Sequence, residues 1–301
     1  GNPPDDASGH VRARAPIAIA ARFAKTPDLG GWAGIDADVR LAPGMQLPEV
    51  NGKVTAGGVR VEQFHFADSV DADIAIANNV IRSPSTTVKL AGGTVHLKGV
   101  HVEPLAMTLG ASADIDSIDF AELMRALGVA DHPHVAWDIV DIHMPNFGGS
   151  LAPLKLDGDF TTTTRNFAVF DRWLKDPARQ RVIGFNEAKL SAHLAVRPDS
   201  VQFKNARGDT GRTHVDGGFV LLGFHNDLRV DVPKAHVDLA DITPLAGTPI
   251  AGIADVKVAV GPKMNDPKVT GEGSVNGFSI ADMAFGNITQ VKAEVTRSGE
   301  A

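Results

Sequence analysis

The chain has 301 residues, 43% hydrophobic and 22% charged, with a formal net charge of -7, no cysteine and no tyrosine. That balance supports a packed core of one large or two ordinary domains and argues against a phosphate-backbone binder, which needs a basic face. The missing cysteines exclude disulfides, thiolate zinc sites and cysteine nucleophiles, and suit an oxidising, extracytoplasmic compartment.

The chain opens Gly1-Asn2-Pro3-Pro4-Asp5-Asp6, with neither a Met nor a positively charged leader region. Residues 1–10 read as a disordered leader and 298–301 as a tail. Between them, 11–297 read as one elongated, repeat-built β module, divisible at 11–130 and 131–297. The whole reads as a piece of a longer chain. No apolar run approaches the roughly 20 residues of a membrane-spanning helix.

Strict alternation then dominates. Ile35-Asp36-Ala37-Asp38-Val39-Arg40-Leu41 sets apolar side chains on one face and charges on the other. Val70-Asp71-Ala72-Asp73-Ile74-Ala75-Ile76 does the same, as do Leu190 to Val196, Leu228-Arg229-Val230-Asp231-Val232 and Val256-Lys257-Val258-Ala259-Val260. A period of two predicts strands with one dry and one wet face; fully buried parallel strands would be continuously apolar. Gly57-Gly58, Gly92-Gly93, Gly148-Gly149 and Gly217-Gly218 mark turns or bulges, and prolines such as Pro48, Pro104 and Pro233 sit at segment ends. Counting segments predicts about 18–22 strands at the ~4.8 Å spacing of neighbours.

Two segments read as short helices. Asp119 to Leu127 places Phe120, Leu123, Met124 and Leu127 on one side and stops at Gly128. Phe167 to Lys175 follows a capping Asn166 and ends before Pro177.

The chain also resembles itself. Ala56-Gly57-Gly58-Val59-Arg60-Val61, Leu97-Lys98-Gly99-Val100-His101-Val102 and Val275-Asn276-Gly277-Phe278-Ser279-Ile280 are copies of one pattern. In each, the apolar parity switches across the glycine. A one-residue slip would turn side chains to the wrong face unless a glycine bulge or tight turn absorbs it. A second echo joins Ile115-Asp116-Ser117-Ile118-Asp119-Phe120 to Val237-Asp238-Leu239-Ala240-Asp241-Ile242. Degenerate repeats favour solenoid or groove architectures.

No catalytic constellation emerges. Asp131-His132-Pro133-His134 is the densest histidine group, but a zinc site needs three or four converging ligands, so a solvated turn is the reading and no metal is expected. Asp71 and Asp73 share a strand face, as a solvated surface does; glycosidase chemistry needs a desolvated carboxyl in a cleft, which leaves a carbohydrate-active solenoid the weakest reading. There is no Gly-x-Ser-x-Gly elbow, P-loop or GxGxxG before a helix. Gly271-Glu272-Gly273-Ser274 imitates a phosphate loop without a following helix. Asn287-Ile288-Thr289 fits a glycosylation sequon, a pattern frequent by chance. Trp32, Trp137 and Trp173 are too far apart for a base-stacking platform; Trp173 reads as packed on the sheet.

The run Val237-Asp238-Leu239-Ala240-Asp241-Ile242-Thr243-Pro244-Leu245, then Ile250-Ala251-Gly252-Ile253, Gly261-Pro262, Asp266-Pro267, Gly271, Val275 to Ile280 and Phe285-Gly286-Asn287-Ile288, resembles the TamB and AsmA-like family of bacterial envelope proteins. Residues 208–296 carry the resemblance best, and Asp116 to Leu127 looks like the same family's repeats. The resemblance implies an all-β, long curled antiparallel or mixed sheet: a taco-like hydrophobic groove with one or two short helices inserted. It also implies a Gram-negative periplasmic location with the full-length protein anchored in the inner membrane. The implied ligand is phospholipid, and the implied partner a barrel protein of the Omp85 type, met through a part of the family's chain not represented here. Neither cofactor nor nucleic acid is implied.

The alternation independently suits such a sheet, which needs one apolar face per strand. The expected lining is Ile35, Val39, Leu41, Ile74, Ile76, Val95, Leu97, Leu190, Leu194, Val196, Leu228, Val230, Val232, Val256, Val258 and Val260. The expected function is shielding of phospholipid acyl chains between the two membranes, without catalysis. The alternative is a scaffold that assists outer-membrane protein assembly by offering strand edges.

Overall fold

A computed structural model describes the chain except residues 1–5, 20–28, 62–63, 120–121, 123–134, 171–175, 224–226, 244–246, 264–266, 282 and 297–301. Among the described residues the protein is all-β, one sheet of sixteen strands that runs in sequence order from β1 to β16. Every described pairing is antiparallel. Its contacts divide it into two compact units, residues 1–131 with 141–153 and residues 132–140 with 154–301.

The first unit holds β1 (Ala7–Pro16), β2 (Leu29–Leu41), β3 (Glu49–Val61), β4 (Phe64–Ala77), β5 (Val80–Leu90), β6 (Gly93–Glu103), β7 (Thr108–Asp119) and the second half of β8 (Val135–Leu151). The second unit holds the first half of β8, then β9 (Leu154–Phe170), β10 (Arg181–Val196), β11 (Ser200–Asp209), β12 (His214–Gly223) and β13 (Leu228–Asp238). A 3-10 turn, η1 (Leu239–Ile242), follows, and then β14 (Ile250–Pro262), β15 (Pro267–Ile280) and β16 (Met283–Thr296).

Among the described residues sixteen strands stand against the predicted 18–22, because the glycine slips lie inside strands. Gly58, Gly99 and Gly277, the pivots of the three repeat copies, have φ of 60°, 60° and 65°. At each, one extra residue enters the strand: Trp32 pairs Gly57 but Gly30 pairs Arg60, Lys98 pairs Ser112 but His101 pairs Gly110, and Val275 pairs Ile288 but Phe278 pairs Gly286. These are bulges, not turns, so two alternating segments become one long strand. A bulge also bends its strand and raises the local twist.

The same device occurs without glycine at Asn205, where Phe203 pairs Val220 but Ala206 pairs Gly218. Asn205 and Asn166 have φ of 53° and 52°, a left-handed conformation that Asn tolerates better than most residues. This overturns the expected second helix. Asn166 does not cap one; β9 continues through Phe170, and Phe167 stacks on Phe185 of β10 with ring centroids 4.6 Å apart. Residues 171–175 of that segment, with Trp173, lie outside the described residues. For the first expected helix, Asp119 Oδ1 accepts the Glu122 backbone N–H at 2.9 Å, an N-terminal cap; its remainder also lies outside the described residues. β1 begins at Ala7, within the expected leader, and all ten of its residues are exposed.

Candidate functional site

Residues directly opposite each other in an antiparallel ladder point to the same face, so the register assigns every side chain. In the first unit one row runs Gly9, Val39, Val50, Ile76, Ile81, Val102, Leu109 across β1 to β7. A second runs Ala13, Ile35, Val54, Ala72, Thr86, Leu97, Ala113, and a third joins Val70, Val88, Val95 and Ile115. Ile35, Val39, Leu41, Ile74, Ile76, Val95 and Leu97 therefore share one face. Leu41, at the end of β2, is its most open member, at 52% exposure.

The second unit repeats the design. Gly158, Leu194, Phe203, Val220, Val230, Val260 and Val269 form one row across β9 to β15. Leu156, Val196, Val201, Leu222 and Leu228 form the next on one side; Thr162, Leu190, Gly208, Val215, Ala235, Val256, Gly273 and Val291 lie on the other. Val232 and Val258 pair between these rows. All nine predicted positions of this unit thus lie on one apolar face.

Sequence reasoning missed many members of the same faces, among them Val50, Val54, Ile81, Phe203, Val220 and Val269. The signal was present but broken: Gly52 interrupts Val50 and Val54, and Asn205 comes two residues after Phe203. Val100 and Val102 belong as well, on the far side of the Gly99 bulge. Lys98 and Gly99 are both exposed there. Two consecutive residues on the charged face are what returns the next apolar residue to the apolar face.

Val50 is 8% exposed and Leu156 9%, although no second sheet lies over them among the described residues. Phe160 of β9 and Phe203 of β11 meet over β10, edge to face, with centroids 5.9 Å apart. At one end of the second unit η1 folds onto the face: Leu239, 8% exposed, packs with Ala254 and Val275, against Val256, Phe278 and Ile288.

The opposite face carries the charges as cross-strand pairs. Lys53 meets Asp71 at 3.2 Å, Lys98 meets Asp114 at 2.8 Å and Lys268 meets Glu294 at 2.7 Å. His193 contacts both Asp157 and Asp159, as His10 contacts both Asp36 and Asp38. The hydrogen bond that His10 makes to the Asp38 carboxylate, aided by Asp36, raises the His10 pKa. Hydrogen bonds from Lys98 and His143 lower that of Asp114, and one from Arg197 lowers that of Asp157. Such exposed pairs set register more than stability. A crevice of about 620 Å³ on this side lies among Asp231, Lys257, Glu272, Lys292 and Glu294, charges spread along four strands without a common focus.

The other sequence candidates fall within this frame. Asp71 and Asp73 are exposed on the charged face. Gly271 to Ser274 lies inside β15, so no phosphate loop exists there. The side chain of Asn287 accepts the Gly277 N–H at 3.0 Å and closes that bulge. Arg14 stacks 3.7 Å above the Trp32 ring. His132 and His134 lie outside the described residues, among which no group of three or more acidic or histidine side chains is placed to hold a metal ion. No described helix is long and apolar enough to cross a membrane. No family model, curated protein or solved structure matches this chain.

Proposed function

We propose that the protein is a periplasmic segment of a bridge-like lipid carrier, whose apolar faces shield phospholipid acyl chains between the inner and outer membranes. The row from Leu194 through Phe203, Val220, Val230 and Val260 to Val269 supports this reading above all, because it crosses strand after strand without a charge. Shielding a CH₂ from water is worth about 0.8 kcal/mol, so a 16-carbon chain needs on the order of 12 kcal/mol along its path. Only a surface without polar gaps supplies that at every step. Such movement involves no chemical step and no cofactor, and head groups stay in water. The resemblance to TamB and AsmA-like proteins adds the inner-membrane anchor and an Omp85-type barrel as partner.

The test is lipid extraction from purified protein followed by mass spectrometry, with Val230→Asp compared against Thr161→Asp on the charged face. Phospholipid should accompany wild type and Thr161→Asp and be lost from folded Val230→Asp. Equal lipid in all three would overturn the reading. The second reading, a scaffold for outer-membrane proteins, draws on β1, an end strand exposed along its whole length and so open to strand addition. Lipid-free protein that captures unfolded outer-membrane strands would favour it.

A further inference from the structure

The register leaves a notch in the second unit. The β11–β12 hairpin ends at Asp209 and His214, opposite Lys189, so residues 181–188 of β10 extend beyond its tip. Residues Leu239–Thr243, the strap that follows β13, turn into this notch and lie against β10 and β14. The two sides of the strap differ. On one, Leu239 is packed on Ala254 and Val275, over the apolar face at Val256. On the other, Ala240 and Asp241 border a cavity of about 380 Å³ shared with Phe185 and Glu187 of β10 and with Thr210 and Arg212 of the hairpin tip. A polar cavity and an apolar surface are thus separated by five residues of backbone.

The strap is held mainly by polar links to the hairpin tip. Arg212 pairs with Asp241 and, at 3.6 Å, with Asp238. Thr213 Oγ1 donates to Asp241 at 2.7 Å and accepts the Asp238 N–H at 3.2 Å. Asp238 caps Ala240 N–H at 2.9 Å, and Thr243 Oγ1 donates to the Ile250 carbonyl at 3.2 Å. Arg212 itself is 61% exposed, so its pairs are open to water and salt. Leu239 on the apolar side, and Arg212 and Thr213 on the polar side, hold the strap in place.

We infer that the strap is a gate over an entry site for a single-chain amphiphile: Leu239 keeps the place that an alkyl chain takes when the strap lifts, and the amphiphile's polar head lies in the adjoining cavity. The exchange of one apolar group for another on the same surface avoids exposing Ala254 and Val275 to water at either end of the step. This inference rests on the lipid-shielding reading and adds to it a point of entry and a lock.

The absence of cysteine makes the test clean. Leu239→Cys is introduced alone and together with Arg212→Ala, and labelling by a small maleimide is timed with and without oleate. Buried Cys should label slowly. Arg212→Ala should speed labelling about tenfold, the equivalent of about 1.4 kcal/mol of lost lock, and oleate should accelerate labelling of the single variant. Displacement of a fluorescent fatty acid reports separately whether oleate binds. Oleate bound with labelling unchanged overturns the gate and leaves the shielding surface standing; no oleate bound anywhere overturns both. Fast labelling with Arg212 intact, in protein with a native β-sheet spectrum, also overturns the gate, because the site would then be open from the start.

Discussion

Replacing Gly99 and Gly52 by alanine and by asparagine separates backbone strain from crowding. At Gly99, with φ of 60°, an added Cβ meets nothing within 4 Å. Any cost there is conformational: about 1–2 kcal/mol for alanine in the left-handed region, and less for asparagine, which visits it more readily. At Gly52 the backbone is ordinary, but an added Cβ would overlap the Asp36 carbonyl and Ala37 Cα, and Ala37 is only 1% exposed. The cost there is overpacking, about 1–3 kcal/mol for alanine and more for the larger asparagine. Thermal unfolding, at about 2–4 °C per kcal/mol for a unit of this size, should therefore order Gly99→Asn above Gly99→Ala, and Gly52→Ala above Gly52→Asn. The inverted order at the two sites is the signature. Equal losses for alanine and asparagine at Gly99 would refute the bulge, and a harmless Gly52→Asn would refute the close strand approach.

Cysteine scanning through the Gly99 bulge should find Leu97→Cys and Val100→Cys protected from a bulky maleimide and Lys98→Cys and Gly99→Cys reactive; strict alternation through these four sites would contradict the face assignment. The His10 pKa is raised, chiefly by the Asp38 hydrogen bond, so the contribution of His10 is fully present below its unfolded pKa of about 6.5 and lost as pH rises through the folded value. Amide exchange in β1, corrected for intrinsic rate, should thus loosen towards alkaline pH in wild type and lose that dependence in His10→Gln. Asp157 has the opposite sign: its pKa is lowered by Arg197, so its contribution is present at neutral pH and lost on acidification. Arg197→Gln should flatten the acid limb of the unfolding curve, and an unchanged limb would show that the pair contributes nothing.

The primary structure determined the β class and the apolar face of nearly every strand it identified, because alternation is a local property. A side chain's face follows from its parity once a strand exists. Hence Ile35, Val39 and Leu41, or Val256, Val258 and Val260, could be placed on one face from the chain alone. The chemistry of the other face was equally legible, since Asp36, Asp38, Lys53 and Asp71 have no apolar alternative.

Three things were decided only by the tertiary structure. The first is strand count: Gly58 and Gly99 read equally well as turns or bulges, and only the ladder partners, one residue out of step on either side, select the bulge. The second is the course of Phe167 to Phe170. A capping Asn and nearby apolar residues satisfied a helical pattern, but pairing with β10 and the Phe185 ring stabilises the strand, and Asn166 takes a left-handed backbone within it instead of capping a helix. The third is the strap. Nothing local in Leu239-Ala240-Asp241-Ile242 announces a cover, for its lock comes from Arg212 and Thr213, more than two dozen residues away in the chain, and its seat from Ala254 and Val275 on two later strands. Periodicity reports which way a side chain points; what lies over it depends on contacts that only the folded sheet brings together.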